Sequence, residues 1–346
     1  MKKSIIVVAL ILTLVAFLGM ANAEERGPKL SGVAYVQGHG GHIAVVDLAT
    51  GAVARISHGK PSDAITLSHD GNTIYTFSLD GFVTEIDLKA GKNSEWAKLG
   101  KQHCGSAIAP DGTIWVSDMT DGHVYVYDPK TKKLKDSFPI SKSTCMITFS
   151  KDGKKAYVTD MIGGYVNIVD VATKKVEGKI ETTGNFMHRG RLAPDGEHLW
   201  VSDGNEVLKN TYDTTPVAIG VGYAENAAQM GGVSIVDVKT KKEVDYIIIG
   251  GNPHDVAFTP DGKYALVTSR QIPDYKDSAI VVVDTNTKRI VKVYSACKAC
   301  HGPTGTAIDA KKDGGSPYLC GIDVNWNQKA IPVSKSIESV KDLGGK

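Results

Sequence analysis

The sequence predicts an all-β fold, a seven-bladed β-propeller of four-stranded antiparallel blades, with six or eight blades as alternatives. One phrase, two short β-branched and aromatic runs joined by an Asp-Gly turn, recurs five times along the chain. The turn aspartates are Asp70, Asp111, Asp152, Asp195 and Asp261, at steps of 41, 41, 43 and 66 residues. A period of about 40 residues is typical of a propeller blade, because Asp-Gly supplies the positive φ angles of a tight hairpin. No run has the 3.6-residue hydrophobic period of a helical solenoid.

Each copy of the repeat predicts four strands in order. In the first copy, "SDAITLSHDGNTIYTFS" at 62–78 predicts the inner strand, the Asp-Gly hairpin and the second strand. "VTEIDLKAG" at 83–91 predicts the third strand and the turn towards the fourth. The same pair of phrases begins again near residues 103, 144, 187 and 253.

The two ends of the repeat region predict how the ring closes. Residues 32–57 have the pattern of the later strands of a blade whose inner strand is missing. Residues 305–323, "GTAIDAKKDGGSPYLCGID", have the pattern of a further inner hairpin. Chain ends that share or abut blades would close the ring and remove the exposed sheet edges.

The first 23 residues have the pattern of a signal peptide. Lys2 and Lys3 precede an apolar run that ends at the A-x-A sequence "ANA" of residues 21–23; a membrane anchor is the alternative interpretation. We therefore expect export to the periplasm or an equivalent extracytoplasmic compartment, with one propeller domain over residues 24–346. Without Lys2 and Lys3 the 40 basic residues become 38, equal to the 38 acidic ones, so no excess charge favours nucleic acid. No later segment has the length and hydropathy of a membrane span.

The stretch "CKACH" at 297–301 matches the attachment sequence of a c-type haem. Thioether bonds from Cys297 and Cys300 would hold the porphyrin, and His301 would bind the iron. The alternatives are a Cys297–Cys300 disulfide, a chance Cys-x-x-Cys, or pairing with Cys320. The motif lies between the predicted end of one blade and the next inner strand, so we expect it on a loop at the channel mouth.

A second candidate site comes from the register of the repeats. The residues seven positions before the turn aspartates are equivalent, lie just ahead of the inner strands and are predicted to ring the channel mouth. They are Asp63, Cys104, Cys145, His188 and His254, with His103 and Met187 beside them. Cys and His side chains in one cluster point to metal or haem-iron binding, or to proton transfer. Structural roles are the alternative: His254 bonded to nearby backbone, and Cys104 and Cys145 in an interblade disulfide or as buried thiols.

Two blades have extended connections between their second and third strands, at 204–231 and 270–278. Long loops in a compact fold usually have a function. Their Tyr, Val, Ile and Pro residues favour a docking surface, with a lid over the channel as the alternative.

The repeat phrases, an SPDG-like turn, then YVT or WVSD, then VxVxD, resemble the YVTN-type propellers of exported bacterial and archaeal proteins over residues 33–323. In size, export signal, blade pattern and inserted loops the chain also resembles the β subunits of anammox hydrazine synthases. A weaker resemblance is to the haem-binding propeller of nitrite reductases, whose attached cytochrome domain is missing here. CKACH is not part of the hydrazine synthase resemblance.

These resemblances imply a subunit of a haem oxidoreductase complex of nitrogen metabolism, beside haem-bearing partner subunits. For a hydrazine synthase, the reaction is nitric oxide plus ammonium to hydrazine, and the compartment is the anammoxosome. No nucleophile–base pair, phosphate loop or paired carboxylates indicate an independent catalyst. A stand-alone porphyrin-binding or haem-delivery propeller, or a scaffold without cofactor, is the alternative function.

Overall fold

The computed structural model describes residues 27–38, 40–98, 100–184, 186–204, 231–250, 252–270, 279–295, 319–332 and 337–339. These residues form 25 strands in six antiparallel sheets. The inner strand of each sheet contacts the inner strands of the two neighbouring sheets, and the sixth contacts the first. The all-β propeller prediction is therefore confirmed.

Blade 1 contains both ends of the described chain: β1 (Val33–Gly38), β2 (His42–Asp47), β3 (Val53–Ser57), β24 (Leu319–Asn325) and β25 (Ile337–Ser339), in the spatial order β24-β1-β2-β3-β25. Blade 2 contains β4 (Ser62–Leu67), β5 (Thr73–Ser78), β6 (Phe82–Asp87) and β7 (Lys92–Lys98). Blade 3 contains β8 (His103–Ile108), β9 (Ile114–Asp118), β10 (His123–Asp128) and β11 (Lys133–Pro139).

Blade 4 contains β12 (Thr144–Phe149), β13 (Lys155–Asp160), β14 (Tyr165–Asp170) and β15 (Val176–Glu181). Blade 5 contains β16 (Met187–Leu192), β17 (His198–Asp203), β18 (Gly232–Asp237) and β19 (Lys242–Ile248). Blade 6 contains β20 (Asn252–Phe258), β21 (Tyr264–Arg270), β22 (Ala279–Asp284) and β23 (Ile290–Ser295).

The predicted count of seven blades is wrong, because the described residues form six. The sequence predicts a further inner hairpin at residues 305–323. The described part of that segment, from Leu319, instead belongs to β24, which pairs antiparallel with β1 from Gly38↔Leu319 to Val33↔Asn325. It supplies the inner strand that residues 32–57 lack, so the chain ends share one blade, which is one of the two arrangements that the sequence predicts.

The core lies between the blades rather than inside any one of them. The middle strands are covered on both faces: β22 has five consecutive buried residues, whereas outer strand β11 exposes most of its side chains. Large aromatic rings fill the spaces between neighbouring blades. The ring centroids of Trp200 in blade 5 and Phe258 in blade 6 are 5.4 Å apart. Those of Trp115 in blade 3 and Phe149 in blade 4 are 5.1 Å apart.

The Asp-Gly turns form as the repeat predicts. Gly71 has a φ angle of 70°, in the left-handed region that glycine adopts without strain. Asp70 accepts hydrogen bonds from the Ser68 hydroxyl and from the backbone and side chain of Asn72. These hydrogen bonds lower the pKa of Asp70 to about 2, with the bond from Ser68 contributing most. The turn carboxylate therefore stabilises the hairpin in its ionised form.

The predicted signal peptide and the CKACH motif lie outside the described residues. Among the residues that the structure describes, no helix is both long and apolar enough to cross a membrane.

We predict that Ile322→Ala lowers the free energy of unfolding by about 2–5 kcal/mol, because Ile322 on the closing strand is fully buried in the core between blades 1 and 6. Ile290→Ala, on outer strand β23 with a side chain that is 45% exposed, is the matched control and should cost under about 1 kcal/mol. Urea unfolding followed by circular dichroism measures both. Equal effects would contradict ring closure through β24.

Candidate functional site

Each inner strand has one residue at an equivalent position near its start, at the same end of the channel. We call this set the mouth ring: Asp63 on β4, Cys104 on β8, Cys145 on β12, His188 on β16, His254 on β20 and Cys320 on β24. Each of the six side chains is at most 5% exposed. The five positions predicted from the repeats lie on five different inner strands, and Cys320 has the equivalent position on the sixth.

Cys104 and Cys145 form a disulfide between blades 3 and 4, with their Cα atoms 4.9 Å apart. A side chain at Gly105 would collide with the carbonyl oxygen of Cys145, so glycine permits this close approach of β8 and β12. The disulfide is one of the alternatives that the sequence left open. A thiolate is the form of cysteine that binds metals, so the predicted metal-ligand role of these two residues is not retained.

The other four mouth-ring residues lie on consecutive inner strands, in the order β16, β20, β24 and β4. One ligand atom each from Asp63, His254 and Cys320 lies within 4.8 Å of the other two. The rings of His188 and His254 lie 3.8 Å apart between centroids and are tilted by 37°. A carboxylate, an imidazole and a sulfur therefore face one another in a buried space, with a second imidazole beside them.

Arg189 crosses the channel beneath the mouth ring, from blade 5 to the opposite blade 2. Its Nη2 lies 2.9 Å from Asp63 Oδ1, and its Nη1 donates a hydrogen bond to the carbonyl oxygen of Asp63. Gly321 allows the passage, since a Cβ there would stand 2.9 Å from Nη1. Burial opposes the charge of the guanidinium, but the carboxylates of Asp63 and Asp255 outweigh it and raise the pKa of Arg189. Arg189 is therefore charged and holds one oxygen of Asp63.

Asp255 follows His254 and faces the same part of the channel. Burial raises the pKa of its carboxyl, against the opposing attraction of Arg189 and Arg191. Its oxygens accept hydrogen bonds from the backbone nitrogens of Val256 and Ile322, at 2.8 and 3.1 Å. Asp255 thereby ties β20 to the closing strand directly below the mouth ring.

A cavity of about 580 Å³ occupies the channel on the far side of Arg189. Thr66, Ser106, Thr148 and the ion pair of Arg191 with Asp323, at 3.1 Å, line its wall. Ser68 and His69 of an Asp-Gly hairpin border its opening. The cavity therefore opens at the opposite end of the propeller from the mouth ring.

The structure does not bring His103 to the mouth ring. His103 is fully buried. The centroid of its ring lies 6.1, 6.3 and 6.4 Å from the ring centroids of Phe77, Tyr125 and Tyr127. It thus belongs to the core around blades 2 and 3. Met187 is likewise fully buried in the core between blades 4 and 5.

Cys297, Cys300 and His301 lie outside the described residues, but the flanking strands show where their segment attaches. The chain leaves blade 6 after Ser295 and re-enters at Leu319, next to Cys320. The two inserted loops also leave from the mouth-ring end: Gly204 adjoins the His188 ring, and Arg270 pairs with Asn252. The described residues that flank segments 205–230, 271–278 and 296–318 therefore lie at the mouth-ring end of the propeller.

Sequence reasoning missed Cys320, Arg189 and Asp255 as members of the site. Cys320 stands seven positions before Asn327, as the other mouth-ring residues stand before their turn aspartates. Asn327 lacks the Asp-Gly pair that marks the other turns, so the repeat signal does not extend to Cys320. Arg189 and Asp255 directly follow ring positions, where the other repeats have Ala64, Gly105, Met146 and Gly321. Comparison of the repeats at that position could have found them.

Comparisons with known proteins agree with the fold. The family model described as SMP-30/Gluconolactonase/LRE-like region matches residues 16–162, less than half of the chain. Antigen Lp49 of Leptospira interrogans is 26% identical over 188 residues, 46% of this chain and 40% of that protein. Protein NirF of Stutzerimonas stutzeri is 29% identical over 140 residues, 36% of this chain and 34% of that protein. The chain thus matches less than half the length of these two curated relatives.

Two solved structures share the architecture. A hydrazine synthase structure from Kuenenia stuttgartiensis has a TM-score of 0.51 and 23% identity, over 65% of this chain and 63% of that chain. A functionally unknown protein from Desulfotomaculum acetoxidans has a TM-score of 0.53 and 13% identity, over 76% of this chain and 80% of that chain. At such identities the likeness shows the fold alone.

We predict that the Cys104→Ala, Cys145→Ala double variant loses about 4 kcal/mol of unfolding free energy, because the disulfide closes a loop of 41 residues in the unfolded chain. Denaturant unfolding measures the loss, with wild type under reducing conditions as the comparison. Mass mapping of non-reduced peptides should recover the linked pair. Alkylation of both cysteines in the native, oxidised protein would contradict the disulfide.

Proposed function

We propose that this protein is an exported propeller subunit of a haem-dependent oxidoreductase complex, with a haem c attached at Cys297 and Cys300. The proposal depends on one observation: the strands that flank segments 205–230, 271–278 and 296–318 all end at the mouth-ring end of the propeller. One of these segments contains CKACH, and the other two are the inserted loops. A rigid ring of strands would thus hold the haem segment and both candidate docking segments on one face.

The mouth-ring residues show where a haem could lie relative to the propeller. No mouth-ring side chain is more than 5% exposed, so the ring leaves no space for a porphyrin between its members. His188 and His254, both buried at the mouth, fit a role in the environment of a haem outside the ring, with His301 as the iron ligand. His103 does not share this position and is not part of the proposal. When bound, a haem supplies one-electron transfer.

The chain's own contribution is positioning. Antiparallel strands on both sides of each extended segment fix where that segment begins and ends. The paired rings of His188 and His254 are held by β16 and β20, so their placement does not depend on a loop. A partner's active site could therefore be completed by residues 205–230 or 271–278 without any change in the blades.

The proposed metabolic setting is the reduction or coupling of small nitrogen compounds. The resemblance in blade pattern and inserted loops to hydrazine synthase β subunits supports it. The specific form of the proposal is hydrazine synthesis from nitric oxide and ammonium, with haem-bearing partner subunits. The compartment would be the periplasm or, in that specific form, the anammoxosome.

The full-length chain, expressed with cytochrome-maturation machinery, should carry one covalent haem that survives acid–acetone extraction. Haem-stained denaturing gels and the intact mass measure it. The Cys297→Ala, Cys300→Ala double variant is the matched control and should lose the haem while keeping the propeller's circular dichroism. A wild-type mass equal to the bare mature chain would overturn the haem and leave a scaffold without cofactor.

Replacement of residues 206–229 by a short Gly-containing turn should leave the thermal stability of the propeller unchanged, because sister blades bridge the same gap with about four residues. It should abolish co-purification of the tagged chain with a haem-bearing partner from its native cells. The control is Lys151→Ser, Lys154→Ser, two exposed residues at the opposite end of the propeller. Normal assembly of the shortened chain would instead indicate a lid or a solitary haem carrier.

A further inference from the structure

The mouth ring divides into two halves of different chemistry. On β8 and β12 the two cysteines are consumed by the disulfide. On β20, β24 and β4, three consecutive inner strands, His254, Cys320 and Asp63 bring an imidazole, a sulfur and a carboxylate into one space. Three different metal-binding side chains, from three separate blades and none more than 4% exposed, converge there.

We propose that Asp63, His254 and Cys320 bind one zinc-type transition-metal dication. The site is independent of the haem segment, since all three residues lie on inner strands. It thus goes beyond the function proposed above.

The distances suit such an ion after small side-chain movements. Zinc bonds of about 2.0–2.3 Å in a tetrahedron place neighbouring ligand atoms roughly 3.4–3.6 Å apart. The three ligand atoms here lie within 4.8 Å of one another, so an approach of about 1 Å closes the site. Side-chain torsions can supply this movement while the strands stay in place. The His188 ring, on the neighbouring strand β16, packs against the His254 ring with 3.8 Å between centroids and supports its position.

Two side chains would bring negative charge to the ion. Asp63 and a Cys320 thiolate carry one negative charge each, and the positive charge of Arg189 beside Asp63 offsets one of them. Arg189 binds the Oδ1 atom of Asp63 at 2.9 Å. Hydrogen bonds to a ligating carboxylate orient it and tune its metal. The strand of Cys320 is itself held by hydrogen bonds from Ile322 to Asp255 and from Thr268 to the Cys320 carbonyl oxygen.

The donor set selects among metals. Calcium and magnesium take oxygen ligands and keep several of them, whereas this site offers one carboxylate. A mixed sulfur, nitrogen and oxygen set is suited to zinc and its spectroscopic substitute cobalt. The competing interpretation is a purely structural cluster, in which Asp63 serves only as the partner of Arg189.

The test uses the full-length chain, stripped with chelator and titrated with Co²⁺ and Zn²⁺. Wild type should bind one ion per chain, and the cobalt form should show a sulfur-to-cobalt charge-transfer band with the strong visible absorption of a tetrahedral site. Cys320→Ser should abolish the charge-transfer band. His254→Gln should weaken binding at least tenfold, since loss of a ligand costs more than loss of a supporting group.

Two controls separate this proposal from the haem proposal. Cys297→Ala, Cys300→Ala should keep the band and the stoichiometry, and His123→Gln, a half-exposed histidine away from the ring, should behave as wild type. A folded wild type that binds no stoichiometric ion overturns the site. A band that persists in Cys320→Ser, or disappears in Cys297→Ala, Cys300→Ala, assigns the metal to other thiols and overturns it equally. Circular dichroism melts establish that each variant is folded.

Discussion

The structure depends on the pairing of β24 with β1. This pairing joins the end of the described chain to its beginning and leaves the propeller without an open inner gap. The pairing covers the inner edge of β1, which would otherwise be an unpaired strand edge of the kind that promotes association in β proteins. The same pairing places Cys320 between His254 and Asp63, so ring closure and the candidate site have one origin. A chain that failed to close would lose an inner strand and a sixth of the mouth ring together.

The second constraint is the charge buried in the channel. Arg189 and Asp63 lie on opposite blades, and each is almost wholly removed from water. Burial of two charges is costly unless they are paired and hydrogen-bonded, and loss of one partner would leave the other uncompensated. The pair therefore ties opposite sides of the ring. It also separates the mouth ring from the cavity at the other end, which gives the propeller two chemically different ends.

Most of the residues that could bind a ligand or take part in a reaction lie at the mouth-ring end. It has the disulfide, two stacked imidazoles, the Asp63–His254–Cys320 cluster and the departure points of three extended segments. A disulfide is expected in an oxidising compartment, which agrees with the export expected from the sequence. Propeller strands are rigid, so such an end can hold an ion and present loops to a partner at once. The cavity at the other end differs, because the ion pair of Arg191 and Asp323 in its wall is suited to a polar solute.

The sequence alone determined the blade architecture, since each repeat encodes its strands and its Asp-Gly turn locally. It also determined five of the six mouth-ring positions, because equivalent positions in a repeat are equivalent in space. It miscounted the blades, since β24 is recognisable as part of blade 1 only through its pairing with β1, far away in the chain. The choice between disulfide and metal ligands for Cys104 and Cys145 was likewise decided by the distance between β8 and β12. Only the closed ring brought Arg189 across to Asp63 and Cys320 beside His254, because those contacts join residues of different blades.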